Sequence, residues 1–204
     1  MVKAKKEGIA SYRAKRWFII IFTVIILLSI YLFKNAESVW LRASSTIVFL
    51  IFFYVIDHLF DIRFKERHYS YITLIAVFSL LLSDFYFFYP NYDKVQHFIQ
   101  PMLVCSIIFY MVSKLKIALK WQITFTFFIT LGILGLFEVG EYGLDYVFDL
   151  KLQGVYLRDI QGLEKFHLVV DRIDDTMFDL ILGTLGTSIY CFLFAWWMYR
   201  RKSN

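Results

Sequence analysis

Apolar residues run along this chain in long blocks separated by short polar segments. Six blocks are long enough to cross the hydrocarbon of a bilayer, which takes about 20 helical residues for about 30 Å. They cover residues 17–33, 39–62, 69–89, 93–113, 119–142 and 175–199. A backbone in lipid must satisfy its own hydrogen bonds, so such blocks predict helices. The expected fold is an all-α integral membrane protein, a bundle of six transmembrane helices forming a single domain over residues 1–204. No repeat, linker or low-complexity tract divides it. The first block follows a basic stretch, as a signal peptide would. Its apolar part is long, however, and no small-residue cleavage site follows, so an uncleaved first helix is expected.

Composition agrees with a membrane as solvent: 59% of residues are hydrophobic, 21% are aromatic, and the mean hydropathy is +0.60. The net charge of +5 does not point to nucleic acid, because the basic residues sit in short clusters beside apolar blocks. Of 22 Lys and Arg residues, 15 fall in the N-terminal segment, the loops at 63–68 and 113–120, and the C-terminus. That asymmetry places both termini in the cytoplasm of a multi-pass protein of the plasma or inner membrane, with membrane lipids as its surroundings. The short turn at Pro90 and a long loop, 143–174, are then extracytoplasmic. The long loop is too polar to span. Its sparse apolar positions, Leu157, Ile160, Leu163 and Phe166, are expected to form at most an amphipathic piece lying on the surface. Cys105 and Cys191 match no metal-ligand spacing and read as free buried thiols. Oligomeric state is left open.

Ionisable residues inside a bilayer are costly, about 2.5 to 3.5 kcal/mol each near its centre, so each needs a partner or a purpose. Here they gather at one depth. Asp84 precedes the outer end of the third span, Asp93 and His97 open the fourth, Glu138 and Glu141 close the fifth, and Asp175 and Asp179 open the sixth. Asp93, His97 and Gln100 share one helical face by spacing, as do Glu138, Glu141 and Asp145, and Asp175 and Asp179. Pro101 frees the carbonyl of His97 and is expected to kink the fourth span beside the cluster. Gly132, Gly135, Gly183 and Gly186 are expected to let the fifth and sixth spans approach closely. So many carboxylates cannot all stay ionised without compensation. On an ideal helix Lys94 points about 100° away from Asp93, which leaves a bound cation or shared protons to neutralise them. Carboxylates with one imidazole suit Mg²⁺, Mn²⁺, Zn²⁺ or Fe²⁺. The candidate ligands are Asp93, His97, Glu138, Glu141, Asp175 and Asp179, with His97 or Glu141 as general base and Asp84, Gln100, Asp145 and Thr176 in support. The plainer reading stands beside this one: Asp93, Asp174 or Asp175 as helix caps, and the whole cluster as a structural polar network.

A second polar set, Asp57, His58 and Asp61, lies at the cytoplasmic end of the second span. Arg63, Lys65 and Arg67 follow at once, so structural pairing is expected there. His68 and His167 read as interface or loop residues. The aromatic excess fits headgroup belts and calls for no cofactor.

The segments YDKVQHFIQ, GLFEVGEYGLD and DDTMFDLILGTLG resemble three polar signatures of the YjdF-like family of multi-span inner-membrane proteins. The likeness covers roughly residues 80–190 and implies matching positions at Asp93 and His97, at Glu138 and Glu141, and at Asp175, Thr176 and Asp179. The Asp93, Lys94, His97 opening is also distantly similar to VanZ-like proteins. The loop at 146–173 is longer than the family pattern, and an acidic position expected before Asp175 falls ambiguously on Asp171 or Asp174. The resemblance implies a fold and positions but no reaction. Three function classes follow: a metal-dependent membrane enzyme acting on a lipid or lipid-linked substrate, an ion- or proton-coupled transporter, and a scaffold or assembly protein without catalysis.

Overall fold

The computed structural model describes residues 39–148, 151–158 and 166–203, together with the isolated positions 14, 17, 21, 24 and 25. The expected first span, 17–33, therefore lies almost wholly outside the described residues, as do Ile160 and Leu163. The described chain is mostly helical and divides into two compact units, residues 1–83 and 84–204.

In the first unit, helix α1 (Val39–Leu59) is followed by α2 (Glu66–Ala76) and a π-helical turn at Val77–Leu81. The block at 69–89 was expected as one span. Instead it changes helical pitch after Ala76 and continues as a 3₁₀ segment at Ser83–Phe87. Leu82 N–H reaches back five residues to the carbonyl of Val77, and the Ser83 hydroxyl bonds the carbonyl of Leu80. The π turn marks a local widening of the ladder rather than a break.

In the second unit, three long helices pack together: α3 (Tyr92–Ser113), α4 (Leu119–Phe148) and α5 (Arg172–Ser203). Each is long and apolar enough to cross a membrane, and α1 holds a shorter apolar helix, Ala43–Leu59. Their surfaces are inverted relative to a water-soluble bundle. Leu136 (73% exposed) and Phe192 (71%) face outward, while Thr126, Thr130, Glu138, Asp179 and Thr187 are buried. Lipid on the outside and polar side chains within account for that order.

Three differences from expectation concern this unit. First, α4 runs to Phe148, six residues past the expected end of its span. Second, the segment 143–174 is not merely loop: β1 (Val155–Arg158) pairs antiparallel with β2 (Phe166–Val170), with a bulge between Val155 and Tyr156. Leu157 and Phe166 thus sit on strands, not on an amphipathic surface piece. Two such short strands carry too little periodicity to be told from loop. Third, the glycines of α5 serve both neighbours: Gly183 meets α4 as expected, and Gly186 packs on α3. A side chain at Gly186 would run into the Phe98 carbonyl, and one at Gly183 would meet the Leu134 side chain of α4 at 2.7 Å and lie 3.5 Å from the His97 carbonyl, the acceptor that Pro101 leaves free. Gly132 and Gly135 of α4 face open space. Among the described residues, the α3–α5 contact is the most extensive.

Candidate functional site

The start of α3, the end of α4 and the start of α5 meet at one end of the second unit. On α3, Asp93 Oδ1 lies 3.3 Å from His97 Nε2, one helical turn away. On α5, Asp179 Oδ2 lies 4.0 Å from the same nitrogen. One donor atom each from Asp93, His97 and Asp179 falls within 4.8 Å of the others. Glu138 of α4 stands behind the imidazole, with its carboxylate 3.8 Å from Nδ1. His97, Glu138 and Asp179 are all at least nine-tenths buried, and the Phe137 ring meets the imidazole edge-on at 6.0 Å.

The main correction concerns Lys94. Its ammonium bonds Asp179 Oδ1 at 2.9 Å and Asp93 Oδ2 at 3.4 Å, and it pairs with Asp175 Oδ1. The side chain of Lys94 does leave the helix away from Asp93, but toward α5, and its four methylenes carry the charge back across both carboxylates. A direction read from Cα positions fails for a side chain of that length. Lys94 holds one edge of Asp93 and Asp179, and the other edge of each faces His97. Lysine and imidazole therefore grip the two carboxylates from opposite sides.

The remaining expected residues divide. Asp175 gives one oxygen to Lys94 and the other to the Gly154 N–H at 2.8 Å. Glu141 stands within electrostatic reach of Glu138, Asp93, Asp179 and Asp175. Thr176 accepts a bond from Gln153 Nε2 at 3.2 Å and lies beside Glu138. Asp145 is turned to the chain beyond α4, where its carboxylate accepts the N–H groups of Leu152 (2.7 Å) and Gln153 (3.0 Å). Gln100 bonds Gln96 one turn back rather than extending the Asp93 and His97 face. The cap of α5 is neither Asp174 nor Asp175 but Asp171, whose Oδ1 accepts the N–H groups of Ile173 and Asp174. The Asp84 side chain lies outside the described residues. Reasoning from sequence also missed Tyr86, which lies within electrostatic reach of Asp93, Glu141 and Asp179. It is one of many tyrosines in an aromatic run, and nothing in its spacing singles it out.

Five carboxylates thus share one ammonium and one imidazole. The arrangement fits a small divalent cation: donors bound at about 2.1 Å stand roughly 3 to 4 Å apart, a modest contraction of the triad. A carboxylate behind the far nitrogen of a ligating histidine is the usual outer partner of such a site.

Residues 14–201 match the family described as "Predicted membrane protein (DUF2238)". The chain belongs to this family. No curated protein and no solved structure matches it. As a DUF2238 membrane protein, it carries an Asp93, His97, Asp179 cluster between three apolar helices.

Proposed function

We propose that this protein holds a divalent cation on Asp93, His97 and Asp179 and uses it to act on a lipid or lipid-linked substrate at the outer leaflet. The convergence of three donor atoms with Glu138 behind the imidazole carries the reading. On it, His97 is a ligand, oriented by Glu138, and Glu141 is the general base; a cation there would polarise a substrate oxygen or acidify a bound water. Mg²⁺, Mn²⁺, Zn²⁺ and Fe²⁺ all suit the donors. The same proposal takes the chain as a six-span protein of the plasma or inner membrane with cytoplasmic termini, supported by the distribution of Lys and Arg. It also keeps the likeness of its polar segments to the YjdF-like and VanZ-like families.

One observation favours a second reading. Lys94 already pairs with three of the carboxylates, as it would in a polar network that only locks the helices together. Elemental analysis of the purified full chain separates the two. About one Mn²⁺ or Zn²⁺ per chain is expected, lost in both His97→Ala and Asp179→Asn. A wild-type protein that folds and retains no metal after incubation with each ion would leave the locked network as the function of the cluster.

A further inference from the structure

Residues 152–154, just before β1, are seated on the site by a chain of bonds that the cation reading does not use. Asp145 holds the N–H groups of Leu152 and Gln153, Gln153 reaches Thr176, and the Gly154 N–H donates to Asp175 Oδ2. Gln153, Gly154 and Val155 are buried there. Gly154 adopts φ +89°, and a side chain at this position would lie 3.2 Å from the Val170 carbonyl of β2. Only glycine delivers its N–H in this way without strain. Asp175, 3% exposed, is the hinge of the arrangement: one oxygen faces the hairpin and the other faces Lys94. Lys94 in turn holds the outer edges of the two aspartates whose inner edges face His97.

We infer that Lys94 and Asp175 are positioning residues that couple the β1–β2 hairpin to the Asp93, His97, Asp179 donors, so that filling the donors tightens the hairpin. This regulation rests on the cation reading for its metal half. A cation between the inner oxygens draws charge from Asp93 and Asp179. Lys94 is then held more by Asp175, and the Asp175 rotamer that accepts the Gly154 N–H becomes better fixed. Coupling is reciprocal, so a hairpin seated by any other contact would raise cation affinity by the same factor.

Hydrogen exchange at the Gly154 amide of the full chain in detergent tests this directly. In metal-free protein, Lys94→Gln frees Asp175 from its charged partner, and exchange is expected to rise about tenfold. Added Mn²⁺ is expected to slow wild-type exchange by a similar factor. Asp175→Asn keeps an acceptor for Gly154 but loses the charge that binds Lys94. It should bind Mn²⁺ on the same triad with no change in Gly154 exchange. An unchanged rate in Lys94→Gln, or a full Mn²⁺ response in Asp175→Asn, overturns the relay. Bound Mn²⁺ is counted in the same samples: its absence overturns the cation reading and the metal half of the coupling, while the metal-free Lys94→Gln arm still decides the relay itself.

Discussion

The two polar clusters of this chain draw on the same residue types and close in opposite ways. In the first unit, Asp57 accepts the Phe64 N–H at 2.9 Å and the Tyr69 hydroxyl at 2.5 Å, both within twelve residues, and caps the turn between α1 and α2. His68 is buried beside it, with Nδ1 accepting the Lys65 N–H at 3.2 Å and the ring edge-on to Phe64. In the second unit, Lys94 pairs with Asp175 and Asp179, more than eighty residues away, and the carboxylates outnumber the cations beside them. A single carboxylate met by a backbone donor and a phenol needs nothing further. A carboxylate surplus assembled from three helices needs further compensation, from a cation, a substrate or protons.

The contrast breaks most sharply at Lys94. Replacing it with Met leaves Asp93, Asp175 and Asp179 buried without their ammonium, and loss of one partner from a buried pair costs about 3 to 5 kcal/mol. Because the Lys94 side chain keeps 18% of its surface, the lower part of that range is expected. Denaturant unfolding of Lys94→Met in detergent should show it, with Mn²⁺ restoring part of the loss by supplying charge to the same carboxylates. A loss of that size with no recovery in Mn²⁺ would mean that lysine is the whole of the compensation.

Asp57 should behave otherwise. Asp57→Ala strands a backbone N–H and a tyrosine hydroxyl in a buried place, a loss of about 2 kcal/mol. The same unfolding experiment should show that loss independent of metal, and metal content should equal that of the wild type.

How far each cluster was legible follows from the same contrast. The apolar blocks set the helices because lipid imposes one length and one hydrogen-bonding rule on all of them, and α3, α4 and α5 lie where the blocks do. The common depth of Asp93, His97, Glu138 and Asp179 followed from alternating helix direction. Their neutralisation did not, because it depends on which neighbour the Lys94 side chain reaches, and helical spacing says nothing about the partner helix. The same gap misplaced part of the close packing: Gly183 meets Leu134 of α4 as expected, but helical spacing does not show that Gly186 packs on the Phe98 carbonyl of α3. Gln153 and Gly154 were not singled out because their part in the site depends on a bend seated on Asp145, Thr176 and Asp175, which no helical spacing encodes.

The smallest expected effect is at Asp61; of the three cations expected to pair with the acids there, Arg63 meets Asp61 through two bonds of 2.8 and 3.0 Å. Both side chains are largely in solvent, 73% and 79% exposed, so the pair should contribute well under 1 kcal/mol. Asp61 also sits at φ +45°, in the left-handed region where glycine carries no steric penalty. The two terms oppose each other in Asp61→Gly: the pair is lost and the backbone conformation becomes easier. A change within about 0.5 kcal/mol of wild type is expected from the unfolding midpoint. Asp61→Ala loses the pair and gains no conformational relief, so it should be the less stable of the two. If the order were reversed, the left-handed backbone at Asp61 would carry no strain; if Asp61→Gly lost as much as Asp57→Ala, the ion pair would be structural after all, and the first cluster would depend on its charges.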